Sequence, residues 1–125
     1  MQRKILIADD NADLRQVLQL SLELEGYSVR AARNGDEALR MQMSEPADVL
    51  VTDLFMPDRD GFETLTAFRE NFPATRIVVI SGDAERVGGN YLEAARMVGA
   101  DATLRKPIAP PELITVIQRL FASPR

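Results

Sequence analysis

The chain contains no cysteine and no histidine among its 125 residues. Without cysteine it has no disulfides, no thiolate metal site and no cysteine nucleophile. Without histidine it has no Ser–His–Asp catalysis, no imidazole metal ligand and no phosphohistidine of its own. A metal ion would therefore be bound by oxygen atoms, which favours Mg²⁺, Mn²⁺ or Ca²⁺.

An excess of basic residues and long apolar runs are also absent. The 15 lysines and arginines stand against 19 aspartates and glutamates, giving a net charge of −4. This balance does not indicate direct binding of nucleic acid. The apolar run Ile5–Ala8 is too short for a signal peptide or a membrane span, so we expect a cytoplasmic protein without a membrane partner.

The sequence instead alternates short β-rich runs with amphipathic stretches, at a length that suits one domain. The predicted strands are Ile5–Ala8, Ser28–Ala32, Val49–Thr52 ending at Asp53, Arg76–Ser81 and Ala102–Leu104. The predicted helices are Asn11–Glu25, Asp36–Met43, one that ends near Asn71, Tyr91–Val98, and one from Pro110 to about Phe121. Five βα units predict an open, doubly wound α/β fold around a parallel sheet. A closed barrel would need roughly eight units.

Polar residues stand where four of these strands end. In an open parallel sheet, ligands bind beyond the carboxyl ends of the strands, so these side chains are expected to converge. They are Asp9, Asp10, Asp53, Ser81 and Lys106. Three carboxylates repel one another, and a divalent cation such as Mg²⁺ would neutralise them. Asp53 could then accept a phosphoryl group, whose oxygens would contact Ser81 and Lys106.

Each residue taken singly has an ordinary structural explanation. Asp10 suits a helix cap, Ser81 suits a turn before Gly82, and Lys106 suits a solvated surface. The functional interpretation depends on their occurrence together, since separate strand ends carry the groups that one chemistry needs.

These residues stand in segments that resemble the receiver domain of two-component response regulators over essentially the whole chain. The matching segments are Ile-Leu-Ile-Ala-Asp9-Asp10, Val-Leu-Val-Thr-Asp53-Leu-Phe-Met56-Pro57-Asp-Arg-Asp-Gly61, Ile-Val-Val-Ile-Ser81-Gly82, Gly99-Ala100-Asp101 and Lys106-Pro107. The resemblance implies a flavodoxin-like fold with five helices and strand order 2-1-3-4-5. It also implies a signalling domain that accepts a phosphoryl group, rather than an enzyme of steady turnover.

The resemblance further implies a role for each matching residue. Asp53 would be the phosphoacceptor. The metal, Mg²⁺ with Mn²⁺ as an alternative, would be bound by Asp10, Asp53 and the backbone carbonyl of Phe55, with Asp9 in the outer coordination shell. Ser81 would be the switch residue that follows the phosphoryl group, and Lys106 would contact the phosphate.

Three further expectations concern the end of the sheet. The Lys106–Pro107 peptide bond is expected to be cis, as it often is in this family. Thr103 stands where the family usually has tyrosine or phenylalanine, so the aromatic residue of the usual switch coupling is missing there, and Tyr91 is a candidate substitute. The segment Gly82–Asn90 is longer than usual and contains Gly88-Gly89.

The resemblance implies a histidine kinase or a histidine phosphotransfer protein as the phosphoryl donor. Because the chain ends at Arg125, just after the last predicted helix, we expect residues 1–125 to form a single receiver domain with no output domain. Output would then occur through a downstream protein or a phosphoryl relay, without direct nucleic-acid binding.

Three alternatives remain at this point. A pseudo-receiver would bind partners without phosphorylation, although the complete set of acids argues against it. A haloacid-dehalogenase type of enzyme needs a second aspartate two residues after the nucleophile, where this chain has Phe55. A flavodoxin-like nucleotide binder would carry a glycine-rich loop after the first strand, where Asp9-Asp10-Asn11 stands instead.

Overall fold

A computed structural model describes residues 2–54, 61–82 and 91–123 of the chain. Its strands are β1 (Lys4–Ala8), β2 (Ser28–Ala32), β3 (Val49–Asp53), β4 (Arg76–Ser81) and β5 (Ala102–Arg105). Its helices are α1 (Ala12–Leu24), α2 (Gly35–Ser44), α3 (Gly61–Asn71), α4 (Tyr91–Val98) and α5 (Pro110–Ala122). The Phe55 carbonyl and the Gly88-Gly89 segment, both singled out from the sequence, lie outside the described residues.

All strand pairs are parallel, and the order in the sheet is β2-β1-β3-β4-β5. The predicted flavodoxin-like fold, with its strand order and five helices, is therefore confirmed. β1 and β3 lie side by side at the centre of the sheet, with Ala8 paired to Thr52. The carboxyl ends of these two strands therefore meet at one edge.

The sheet is covered on both faces, and its strand residues alternate between two hydrophobic clusters. One face packs on α1 and α5, through Ile5 and Ile7 of β1 against Leu18 and Leu22 of α1. The opposite face packs on α2, α3 and α4, with Phe68 of α3 fully buried. Strands buried on both faces are nearly continuous in apolar residues, which is why the sequence pattern identified them.

The first two helices begin at asparagine caps. The side chain of Asn11 accepts a hydrogen bond from the Leu14 N–H, and Asn34 accepts one from Glu37 in the same way. Asn11 has an extended backbone, so α1 begins one residue later than the sequence pattern predicted. This cap places Asp9 and Asp10 in the short connection between β1 and α1.

Candidate functional site

Three carboxylates meet at the carboxyl edge of the sheet. Asp9 and Asp10 follow β1, and Asp53 is the last residue of β3. One oxygen from each of the three lies within 4.8 Å of the others. Asp9 and Asp53 are 0% and 4% exposed, whereas Asp10 is exposed. The convergence expected from the strand ends is therefore present for all three acids.

Asp9 is held by contacts at its backbone N–H and at both carboxylate oxygens. Its Oδ1 accepts a hydrogen bond of 2.9 Å from the Asn11 N–H, and its backbone N–H donates to the Ala32 carbonyl at 3.2 Å. Its Oδ2 is buried and forms an ion pair with the Lys106 ammonium. These contacts fix the Asp9 carboxylate at the carboxyl end of β1, which lies between β2 and β3.

Lys106 contacts both buried acids of the cluster. Its Nζ lies 3.0 Å from Asp9 Oδ2 and 2.8 Å from Asp53 Oδ2. Burial lowers the pKa of the Lys106 ammonium, but its contacts with Asp53 and Asp9 raise it more, so the net pKa lies above its ordinary value. The lysine therefore stays charged at neutral pH.

Local backbone geometry brings Lys106 to this position. Its N–H donates to the Ser81 carbonyl at 3.2 Å, which carries the pairing of β4 and β5 one residue further. A Cβ at Gly82 would lie 3.0 Å from the Lys106 Cβ, so this glycine leaves room for the lysine stem. The Lys106–Pro107 peptide bond is cis.

The acids of this site fit a hard divalent cation. Three carboxylates face one ammonium, which leaves a net negative charge in a largely buried cluster. The charged groups of the cluster offer only oxygen atoms to a cation, and Mg²⁺ prefers oxygen ligands. Asp9, Asp10 and Asp53 are the described residues that could hold such an ion, and its presence would offset their repulsion.

Two other predicted residues, Ser81 and Thr103, lie on the neighbouring strands β4 and β5, and Tyr91 begins α4. Ser81 ends β4 and is 1% exposed, and it lies one residue beyond Ile80, the partner of Asp53 across the sheet. Thr103 on β5 accepts a long hydrogen bond of 3.4 Å from Arg96 of α4. Tyr91, the candidate substitute for an aromatic residue at position 103, packs against Phe62 of α3, with ring centroids 6.3 Å apart.

Sequence reasoning missed Arg15. Its guanidinium Nη1 donates a 2.8 Å hydrogen bond to the backbone carbonyl of Asp9, one of the three acids of the cluster. The available signal was a basic residue close to the N-terminus of a helix, where the macrodipole disfavours positive charge.

Gly61 closes the chain back onto the end of β3. Its N–H donates to the Leu54 carbonyl at 3.0 Å, and a Cβ at this position would overlap that carbonyl oxygen and the Leu54 Cα. We expect Gly61→Ala to lower the free energy of unfolding by about 3 kcal/mol, since backbone atoms cannot rotate away. Urea denaturation would measure this loss.

Gly26→Ala is the control for that prediction. Gly26 has a φ of 96°, but nothing lies within 4 Å of a Cβ built there. Gly26→Ala should lower the free energy of unfolding only by the conformational penalty of about 1–2 kcal/mol. A Gly61→Ala variant as stable as the unsubstituted chain would show that the overlap is relieved at no cost.

Comparison with known proteins agrees with the fold described above. The family model of the response regulator receiver domain matches residues 5–118. The chain belongs to the response regulator receiver domain family. The resemblance seen in the sequence is thus confirmed, and a receiver domain is a signalling domain rather than a classical enzyme.

Curated relatives are similar over nearly the whole chain. The transcriptional regulatory protein ResD of Bacillus subtilis is 36% identical over 123 residues, which cover 96% of this chain and 48% of that protein. The response regulator MprA of Mycobacterium tuberculosis is 38% identical over 124 residues, covering 97% of this chain and 51% of that protein. The chain thus spans about half the length of these relatives.

Solved structures of receiver domains are similar in fold. A CheY-like receiver domain from Methanospirillum hungatei has a TM-score of 0.88 at 28% identity, covering 96% of this chain and 94% of that chain. Chemotaxis response regulator CheY4 of Vibrio cholerae has a TM-score of 0.84 at 31% identity, covering 96% of this chain and 99% of that chain.

In the described part of the chain, no helix is long and apolar enough to cross a membrane.

Proposed function

We propose that this receiver domain is a phosphorylation switch that accepts a phosphoryl group on Asp53 from the phosphohistidine of a partner protein. The observation that carries the proposal is the convergence of Asp9, Asp10 and Asp53, with Lys106 Nζ 2.8 Å from Asp53 Oδ2. The chain has no histidine, so the donor would be a histidine kinase or a histidine phosphotransfer protein.

Asp53 is the nucleophile in this proposal. A carboxylate oxygen forms a bond to phosphorus while the bond between phosphorus and the donor imidazole nitrogen breaks, and the electron pair returns to that nitrogen. Phosphoryl transfer depends mainly on positioning and on neutralising charge. Lys106 neutralises part of that charge, because its ammonium already contacts the acceptor carboxylate.

Asp10, Asp53 and the Phe55 carbonyl would hold Mg²⁺, or Mn²⁺, with Asp9 in the outer shell. Bound there, the ion would neutralise the phosphoryl oxygens. The Asp9 Oδ1 accepts a hydrogen bond of 2.9 Å from the Asn11 N–H, which would hold this carboxylate close to the ion. Ser81, at the end of the neighbouring strand, would donate a hydrogen bond to the new phosphoryl group.

The output side of the proposal is a conformational change read by a downstream protein or a phosphoryl relay. The relatives named as transcriptional regulators extend beyond the portion that this chain matches, and direct nucleic-acid binding by this domain is not proposed. The cytoplasmic location and the single-domain organisation stay predictions. The Arg96–Thr103 contact is the place where the switch would differ from the family pattern.

The experiment is incubation of the purified chain with Mg²⁺ and phosphoramidate, followed by intact-mass measurement. We expect one added phosphoryl group, and none when EDTA replaces Mg²⁺. A chain that stays unmodified under conditions where another receiver domain is phosphorylated would favour a pseudo-receiver. Steady turnover of phosphoesters would instead support a hydrolase.

A further inference from the structure

The connection between β1 and α1 is held by a side chain that is not part of the acidic cluster. Arg15, partly buried in the first turns of α1, donates from Nη1 to the Asp9 carbonyl at 2.8 Å. Its backbone N–H also donates to the Asn11 carbonyl at 3.0 Å. This backbone bond is the first ordinary bond within α1, so the contact that depends on the arginine side chain is the one with the Asp9 carbonyl.

The position of Arg15 is unfavourable for helix stability alone. Positive charge near a helix N-terminus opposes the helix macrodipole. Partial burial of the guanidinium adds a desolvation cost. The charge-assisted hydrogen bond to the Asp9 carbonyl offsets these costs, which indicates that the geometry of this connection is what Arg15 maintains.

The accepting carbonyl belongs to the peptide unit that joins Asp9 to Asp10. This unit is planar, so fixing the direction of its carbonyl also fixes where the Asp10 Cα lies. The Asp9 side chain is held separately by the Asn11 N–H. Arg15 therefore restrains the backbone from which the exposed carboxylate of Asp10 extends.

We infer that Arg15 is a positioning residue that holds the Asp9–Asp10 peptide so that both carboxylates converge with Asp53 on a divalent cation. The inference rests on the proposed function. Arg15 contacts neither the cation nor the phosphoryl group in this role. It acts through the backbone between the two acids.

A positioning role and a purely electrostatic role of Arg15 predict opposite changes in cation affinity when the residue is replaced. The guanidinium is a positive charge near three acids, so its loss should strengthen cation binding if electrostatics alone mattered. If positioning dominates, its loss should weaken cation binding. Substitution of groups that orient metal ligands typically reduces metal affinity by about 10–100-fold.

The experiment titrates Mn²⁺ into the full chain and follows the free ion by electron paramagnetic resonance. We expect Arg15→Met to weaken Mn²⁺ binding by about tenfold, and Arg15→Lys, which keeps a charged donor of similar reach, to restore most of it. If Arg15→Met does not fold, Arg15→Gln replaces it, again with weaker binding expected. Arg40→Met, at an exposed position on α2, makes the same charge change away from the β1–α1 connection and should leave the affinity unchanged.

The outcomes separate this inference from the function on which it rests. Equal or tighter Mn²⁺ binding by a folded Arg15→Met variant would overturn the positioning role and leave the metal site in place. A lowered melting temperature with unchanged Mn²⁺ affinity would show a purely structural role and would overturn it as well. An unsubstituted chain that binds no Mn²⁺ would overturn both proposals.

Discussion

Asp53→Asn is expected to abolish incorporation of a phosphoryl group from phosphoramidate in the presence of Mg²⁺. The amide is nearly the same size as the carboxylate, but it is uncharged and a far weaker nucleophile, so no acyl phosphate forms. Asp53 is 4% exposed and ends a strand that is buried along its length, so the backbone should be preserved. Intact-mass measurement over the same time course as the unsubstituted chain tests this.

Asp48→Asn is the matched control for that loss. Asp48 precedes β3 at the opposite end, is exposed, and its Oδ2 accepts a hydrogen bond from the Lys4 N–H at 2.8 Å. The same substitution there should leave phosphoryl incorporation unchanged. If Asp53→Asn still gains a phosphoryl group at the rate of the unsubstituted chain, the acceptor is another residue, and Asp10 in the same cluster would be examined first.

Lys106→Met is expected to lower the free energy of unfolding by about 3 kcal/mol in the presence of EDTA. The substitution leaves the carboxylates of Asp9 and Asp53 buried without their ammonium, and breaking one side of a buried ion pair costs about 3–5 kcal/mol. The Lys106 side chain is 25% exposed, which places the expected loss at the lower end of that range. Urea denaturation with EDTA measures the loss, and Mg²⁺ should restore part of it.

The pH dependence of this difference follows from the raised pKa of Lys106. A pKa that is higher in the folded than in the unfolded chain gives stabilisation that is complete below the unfolded value. That stabilisation is lost as pH rises through the folded value. The stability gap between the two proteins should therefore be constant around neutral pH and close only in the alkaline range.

Lys4→Met is the control for Lys106→Met. The Lys4 side chain is 45% exposed, and its Nζ lies 3.6 Å from Glu45 Oε1, so it makes a surface ion pair. Such pairs contribute about 0–1 kcal/mol, and the expected loss is correspondingly small. Equal stability of Lys106→Met and the unsubstituted chain in EDTA would mean that the two buried acids do not depend on the lysine.

The fold could be predicted from the sequence because its strands are buried on both faces. A continuous apolar run such as Val49–Val51, followed at once by a polar residue, indicates a central parallel strand and its carboxyl end. The boundaries were less accurate, since caps and terminal pairings depend on local geometry. Asn11 lies outside α1 because its side chain caps it, and β5 extends to Arg105, which pairs with Ser81.

The candidate site was predicted as a set of residues but not as a set of contacts. Strand-end positions indicated that Asp9, Asp53 and Lys106 converge, and the resemblance to receiver domains gave them roles. Neither showed that the Lys106 ammonium lies between the two buried acids, at 3.0 and 2.8 Å. That arrangement depends on the path of the chain after β5, which passes Gly82 at close range.

The sequence by itself determined the strand order through its resemblance to the family, the convergence of the acids, and the exclusion of histidine and cysteine chemistry. The convergence of the acids and the exclusion of histidine and cysteine chemistry follow from residue type and from the positions of the apolar runs, both of which are local, whereas the strand order was implied by the resemblance. Only the tertiary structure decided which atoms carry the contacts: Arg15 on the Asp9 carbonyl, Gly61 against Leu54, and Lys106 between two carboxylates. These contacts join residues whose proximity is set by the packing of separate elements, and no short-range sequence pattern encodes their distances.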